Sequence, residues 1–271
     1  MATRDISTND IKYAAELCRA VYDEEPHVDG WVPLKLSDLD VPEGYEPDGR
    51  YVNENSLAFV RTTEVDGVTT LALTFKGTDL LCHRDWGDNI LNINGHYEKL
   101  RPLVEAIDRY VERMGIERVL VTGHSLGGAM AEIFMDEHRS DRSKVTYHGV
   151  TFGSPGAQFT ADTDDPRMLA FRHANDLVPK IASVRDSFGK GYSCTGRLIE
   201  VSDTTDRFKG MLGGLKAHGI VQYIETITQM EMDRTLHEVL AARGDMQIEV
   251  DCSADRALTA PESPPHLAMA M

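Results

Sequence analysis

The stretch Arg118-Val119-Leu120-Val121-Thr122-Gly123-His124-Ser125-Leu126-Gly127-Gly128-Ala129-Met130 decides how this chain is read. The apolar, β-branched run from Val119 to Val121 reads as a buried strand, and Ala129, Met130, Ile133 and Phe134 recur at helical spacing beyond it. Between them, Gly123-His124-Ser125-Leu126-Gly127 places a serine at a strand-to-helix turn. A serine alcohol is a weak nucleophile at neutral pH. A chain that uses one must hold it exposed, beside a base and near donors that stabilise an oxyanion. Gly123 and Gly127 flank Ser125 because a Cβ at either place would collide with the neighbouring strand or helix in so sharp a turn. The stretch therefore reads as a nucleophile elbow.

Outward from it, Leu103, Ile107, Tyr110, Val111 and Met114 form a helical stripe closed by Gly115 just before the elbow strand. Residues 57–63 and 68–75 flank Asp66-Gly67 and read as a β-hairpin whose second strand ends at Lys76-Gly77-Thr78-Asp79. Residues 145–152 and 168–173 read as two more strands, leading into the loops Gly153-Ser154-Pro155-Gly156 and Ala174-Asn175-Asp176-Leu177. Strands alternating with helices predict an α/β fold, a mainly parallel sheet with helices on both faces. At the start, Asn9 or Asp10 is the expected cap of an amphipathic helix bearing Ile11, Ala14, Ala15, Cys18 and Val21 on one face. The acidic, Pro- and Gly-containing segment of about 25–55 reads as an irregular surface excursion, and 216–243 is helix-prone. A tail of about 253–271, with Pro261, Pro264 and Pro265, is expected to be mobile.

Composition bounds the rest. With 271 residues, 41% of them hydrophobic, the chain can bury one sizeable core, and a single domain over 1–271 is expected. Its 28 basic against 44 acidic residues leave a net charge of -16, which opposes nucleic-acid binding and allows at most transient contact with lipid surfaces. The expected partner is a neutral or small molecule. Cys18, Cys82, Cys194 and Cys252 form no CxxC and are too few to build a disulfide fold, so reduced thiols are expected. The first ten residues lack an apolar signal core and no run of 18 apolar residues occurs, so a soluble, cytoplasmic protein is expected. Signal-less export or a trimmed signal are the alternatives to that location.

A serine elbow needs a histidine, a carboxylate to orient it, and oxyanion donors, in the chain order serine, acid, histidine. Asp176, in a turn after an apolar strand, and His218 beyond it fall in that order. Thr78, at the end of the strand upstream, is placed to offer its backbone N–H alongside that of Leu126 as an oxyanion hole. Among the other histidines, His173 lies on the strand before the acid, His237 inside the last helix and His266 in the tail; His218 is the better base. His124 and His96 are expected to pack structurally. His83, Asp85 and Asp88 lack a second histidine at helical ligand spacing, so no metal and no cofactor are expected. Phe208, Met211, Leu212 and Leu215 read either as the lining of an acyl pocket or as plain core.

These residues resemble the class 3 lipases, a branch of the α/β-hydrolases. Leu73-Thr74-Phe75-Lys76-Gly77-Thr78 is similar to that family's oxyanion segment, with Lys76 where arginine is common, and Asp85-Trp86-Gly87-Asp88 to the segment that follows it. Gly123 to Gly128 matches the elbow throughout. Thr151-Phe152-Gly153-Ser154-Pro155 resembles the Thr-Phe-Gly-x-Pro strand end, Asn175-Asp176-Leu177-Val178-Pro179 the segment of the catalytic aspartate, and His218 to Tyr223 the terminal histidine followed by an aromatic residue. The family's amphipathic lid has only Leu80-Leu81-Cys82 and Ile90, Leu91 and Ile93 as counterparts. The resemblance implies an α/β-hydrolase fold and a serine carboxylic-ester hydrolase with Ser125, Asp176 and His218 as triad, cleaving a small-molecule or lipid ester, glycerides by default. The alternatives are a phospholipase or toxin-like lipolytic effector on the same machinery, or a non-catalytic binding module on the same fold.

Overall fold

A computed structural model of the chain describes residues 5–41, 43–65, 67–77, 92–139, 144–158, 165–180, 192–204, 208 and 210–251. The expected tail, the lid counterparts from Leu80 to Leu91 and Asp85-Trp86-Gly87-Asp88 lie outside these residues.

The elbow strand β5 (Arg118–His124) is buried along its whole length, as its continuous apolar run demands of a central parallel strand. Strand alternation splits its side chains between two cores. Val119 and Val121 point into one, shared with Leu71, Leu73 and helices α2 (Ile93–Met114) and α3 (Leu126–Glu137). Leu120 points into the other, shared with Ala72, α1 (Thr8–Ala20), α5 (Ile220–Met232) and α6 (Thr235–Ala241). Helices on both faces of a mainly parallel sheet are thus present as expected.

The sheet runs in the order β1 (Val32–Pro33), β3 (Ser56–Val65), β4 (Val68–Phe75), β5, β6 (Thr146–Phe152), β8 (Met168–His173), β10 (Arg197–Asp203) and β11 (Met246–Val250), with β2 (Arg50–Asn53) also paired to β3. Pairing is antiparallel from β1 to β4 and parallel from β4 to β11. The predicted hairpin forms, Val65 facing Val68 across its turn. A separate ribbon joins β7 (Ala157–Gln158) to β9 (Tyr192–Ser193).

Four local expectations change. The segment of about 25–55, read as an irregular surface excursion, supplies β1 and β2 and buries Trp31, Leu34, Tyr45 and Tyr51 in the cores. Ser7, not Asn9 or Asp10, caps α1: its Oγ accepts the Asp10 N–H at 3.2 Å while the Asp10 carboxylate accepts the Ser7 N–H at 2.7 Å. This reciprocal box satisfies two donors that a cap at Asn9 would leave open. The stripe before the elbow belongs to a longer helix, α2, starting at Ile93 and ending at Gly115 (φ 64°), and its last member, Met114, faces solvent. The helix-prone stretch 216–243 is divided among α4 (Gly210–Ala217), α5 and α6.

Two buried polar groups stand out against the apolar cores. Asp10, turned inward by its capping role, meets Arg118 at 2.5 Å at the start of β5, both side chains almost wholly buried. Helix α3 is buried nearly all round, so Glu132 has no solvent-facing side to turn to. Burial pushes its carboxyl up to about 8, outweighing the hydrogen bonds it accepts from the Ser154 hydroxyl and the Thr195 N–H.

Arg118→Ala strands a buried carboxylate and is expected to cost about 3–5 kcal/mol in urea unfolding, several times the loss from Lys12→Ala, whose partner Glu231 is on the surface. Glu132 makes a second prediction, with its sign fixed by the upward shift. Between the ordinary carboxylate range and about pH 8 the unfolded chain has released a proton that the folded chain keeps, so stability falls as pH rises across that window. Glu132→Gln removes the titration. Its urea midpoint is expected to gain on wild type steadily from about pH 5 to pH 8, and a pH-independent difference would contradict the buried acid.

Candidate active site

Register sets the ends of five strands level. Phe75 pairs with Gly123, His124 with Phe152, Phe152 with Phe171, and His173 with Val201. The ladder continues past the strands through Ser125 N to Phe152 O, Gly153 N to Phe171 O and Ala174 N to Val201 O, at 2.8–2.9 Å. The loops that follow β4, β5, β6 and β8 therefore open on one edge, at the carboxyl ends of the parallel strands where such sheets place their sites.

At the elbow Ser125 takes φ 58°, ψ −129°, a conformation that side-chain-bearing residues rarely adopt. The flanking glycines are what permit it. A Cβ on Gly123 would lie 2.2 Å from the Gly127 carbonyl, and one on Gly127 would lie 2.1 Å from the Phe75 carbonyl. The turn thus hands the chain from β5 to α3 with no room for a side chain on either side. Leu126 opens α3, so its N–H is one of the helix's first-turn donors and has no intrahelical acceptor. Thr78, the other expected oxyanion donor, lies outside the described residues.

The structure brings the three triad candidates together. Ser125 Oγ lies 2.8 Å from His218 Nε2, and His218 Nδ1 lies 2.8 and 3.0 Å from the two carboxylate oxygens of Asp176. Asp176 and His218 are fully buried and Ser125 is 3% exposed. Asp176 also shapes its turn, since Oδ1 accepts the Val178 N–H at 2.9 Å. Burial pushes its acidity the wrong way for a carboxylate. The facing His218 imidazole and hydrogen bonds from His218, Tyr223 and Val178 outweigh this and hold the group below the ordinary range. Gly153 (φ 57°) passes directly beneath: a Cβ there would come within 2.9 Å of Asp176 Oδ2 and 3.0 Å of His218 Nδ1.

Two contributors were not assigned from the sequence. Tyr223 on α5 donates its hydroxyl to Asp176 Oδ2 at 2.7 Å and accepts the His173 N–H at 3.1 Å, and its ring stacks on His173 with centroids 4.1 Å apart. Its signal was the aromatic residue after His218. Tyr22, just past α1, left no such trace; its hydroxyl contacts His124 Nδ1 and the Gly77 N–H.

Each rejected histidine is accounted for by its surroundings. His173 bonds the Ala217 carbonyl through Nδ1 (2.7 Å) and the Thr226 hydroxyl through Nε2 (2.9 Å). His124 bonds the His218 carbonyl through Nε2 at 2.6 Å, and burial together with the neighbouring His218 pushes its imidazole down to about 3. His96 is buried against the Ser56 hydroxyl at 3.0 Å, and His237 is an exposed residue of α6. His266 lies outside the described residues, as do His83, Asp85 and Asp88; among the described residues no cluster of three metal-ligating side chains occurs. Phe208 is core, stacked on His173 at 5.6 Å. Lys76 places its Nζ 5.2 Å from the Tyr22 ring centroid. Cys18 and Cys194 are free thiols, and no described helix is long and apolar enough to cross a membrane.

The family described as Lipase (class 3) matches residues 72–185. Among solved structures, a variant of MDLA from Penicillium cyclopium superposes with TM-score 0.55 at 16% identity, covering 79% of this chain and 96% of that one. A triacylglycerol lipase from Penicillium expansum gives 0.51 at 13% identity, covering 74% and 83%. A further triacylglycerol lipase, described as having a serine protease triad as its catalytic centre, gives 0.52 at 17% identity, covering 75% and 83%. Comparison with curated protein sequences gives no match. At these identities the solved structures speak for the fold alone, an α/β-hydrolase-type sheet, and the family likeness rests on residues 72–185, which hold the elbow, the Gly153 strand end and the Asp176 turn and are similar to the class 3 lipases.

Proposed function

We propose that this protein is a serine carboxylic-ester hydrolase of the lipase type in which Ser125, His218 and Asp176 act as the triad. One observation carries the reading: a strained serine at the carboxyl edge of the sheet forms an unbroken hydrogen-bonded line with an imidazole and a buried carboxylate.

The chemistry follows from who can hold a proton. His218 Nδ1–H donates to Asp176, which leaves Nε2 with its lone pair toward Ser125 Oγ. As Oγ attacks an acyl carbonyl, its proton passes to Nε2, and the ionised Asp176 stabilises the imidazolium without taking a proton itself. The tetrahedral oxyanion is held by the N–H groups of Leu126 and Thr78. The alcohol leaves with the proton from His218. Water then gives a proton to the same nitrogen, attacks the acyl-enzyme, and releases the acid as Ser125 regains its hydrogen. Glycerides are the substrate class favoured by the family and by the triacylglycerol lipases that share the fold.

Hydrolysis of p-nitrophenyl esters of increasing acyl length tests the reading. Ser125→Ala is expected to lower kcat by a factor on the order of 10⁵–10⁶ and to abolish fluorophosphonate labelling, while Asp176→Asn costs about 10⁴. Turnover that persists in Ser125→Ala would sink the assignment. Tyr223→Phe removes one donor to the Asp176 carboxylate, and a charged hydrogen bond of this kind is worth about 1.5–3 kcal/mol. That variant is expected to lose roughly ten-fold or more in kcat with KM little changed, and its activity should fall off at a higher pH on the acid side than wild type does, because Asp176 protonates more readily.

A further inference from the structure

The hydroxyl of Tyr22 stands where three parts of the site meet. Its oxygen lies 3.1 Å from the Gly77 nitrogen, just beyond β4, and 3.1 Å from His124 Nδ1, beside the nucleophile. A Cβ on Gly77 would fall 2.6 Å from that oxygen and 3.0 Å from Ser125 Cβ, so hydroxyl, glycine and elbow crowd into one volume. From His124 the line runs on through Nε2 to the backbone oxygen of His218, 2.6 Å away.

Donor and acceptor chemistry fixes every direction in this line. A carbonyl only accepts, so His124 Nε2 carries the hydrogen and donates it to His218. A neutral imidazole has one N–H, so Nδ1 accepts, and the hydrogen between it and Tyr22 belongs to the phenol. The Tyr22 oxygen in turn accepts from the Gly77 N–H. Donation therefore passes one way, from Gly77 to Tyr22 to His124 to the His218 backbone.

Resting on the hydrolase reading above, we propose that Tyr22 is a positioning residue for ester hydrolysis: its hydroxyl couples the end of β4, where the oxyanion segment begins, to the backbone of the catalytic histidine. Two details fit that task. The His124 and His218 rings lie with centroids 4.8 Å apart, so an imidazolium forming on His218 needs a neutral neighbour, and a hydrogen bond donated to His124 Nδ1 keeps it neutral. Lys76, the first residue past β4, covers the Tyr22 ring with its ammonium 5.2 Å from the centroid, which places a charge against the phenol from the same segment whose backbone it anchors.

The test is Tyr22→Phe, which removes only the hydroxyl. It is expected to lower kcat on p-nitrophenyl butyrate about ten-fold with KM within about two-fold of wild type, and to slow fluorophosphonate labelling of Ser125 by a similar factor at an unchanged folded fraction by circular dichroism. Tyr22→Phe in a His124→Gln background should add little further loss, because both changes cut one chain. A kcat within about two-fold of wild type, or a loss that only tracks unfolded protein, overturns the proposal. Imidazole-nitrogen NMR of the unmutated protein gives a check that needs no variant to fold: His124 should be neutral and protonated at Nε2 between about pH 5 and pH 8, and the Nδ1–H tautomer would overturn the proposal. Absence of serine-dependent turnover in wild type overturns the hydrolase reading and, with it, any role in ester hydrolysis for Tyr22, whereas turnover that Tyr22→Phe leaves intact overturns only the role given to Tyr22.

Discussion

Backbone crowding at the elbow is the constraint on which the rest of the site depends. Gly123 meets the first turn of α3, Gly127 meets the end of β4, and Gly77 meets the His124 carbonyl, each closer than any Cβ would allow. Packing this tight leaves Ser125 no ordinary conformation, and its positive φ is the result. Strain of that kind costs on the order of 1–3 kcal/mol and persists only when the surroundings over-determine it. Here they do: the elbow is fixed by β4, β5, β6 and α3 at once, through the parallel register and the Ser125 N–H to the Phe152 carbonyl.

A second constraint is electrostatic. Asp176 is an ionised group with no access to solvent, a situation that costs several kcal/mol unless every oxygen is satisfied. His218, Tyr223 and the Val178 N–H supply the donors, and Gly153 leaves the space in which His218 and Asp176 can meet. The two imidazoles around them, His124 and His173, each bond a carbonyl through one nitrogen and a hydroxyl near the other, an arrangement that suits the neutral ring. The ionised Asp176 and its imidazole partner are thus surrounded by neutral dipoles. That is the condition under which an imidazolium is stabilised by its carboxylate instead of being repelled by its neighbours.

Sequence carried the elbow, the order of Ser125, Asp176 and His218, and the strands leading to them, because each depends on local pattern: a buried run, a glycine turn, an apolar strand ending in Asx. Strands β10 and β11 escaped notice for an equally physical reason. Ile199 and Val201 alternate with Glu200 and Ser202 after a leading Arg197, too short and too charged a pattern to stand out, and part of that charge is spent on a cross-strand pair, Arg172 with Glu200 at 2.6 Å. The cap of α1 was misplaced because Asn9 and Asp10 are good capping residues in isolation; only Asp10's pull toward buried Arg118 shows why Ser7 takes the role. Tyr22 and Tyr223 were beyond reach as hydrogen-bond partners, since their hydroxyls meet groups far away in the chain.

Alternation along β5 joins these strands of argument. Odd-numbered residues face α2 and α3, even-numbered ones face α1 and α5, so Thr122 bonds Cys18 and His124 is delivered to the α1 side. The chain returns to that same side at α4 and α5, and His218 arrives next to His124 with Tyr223 behind Asp176. Ser125, one residue on, would belong to the opposite face if the strand continued. The elbow cancels that alternation: by turning at positive φ it keeps Oγ within reach of an imidazole that lies on the even side. The strained backbone and the placement of the base are therefore one requirement, and a relaxed serine at this position would point away from the histidine that the rest of the fold has brought to meet it.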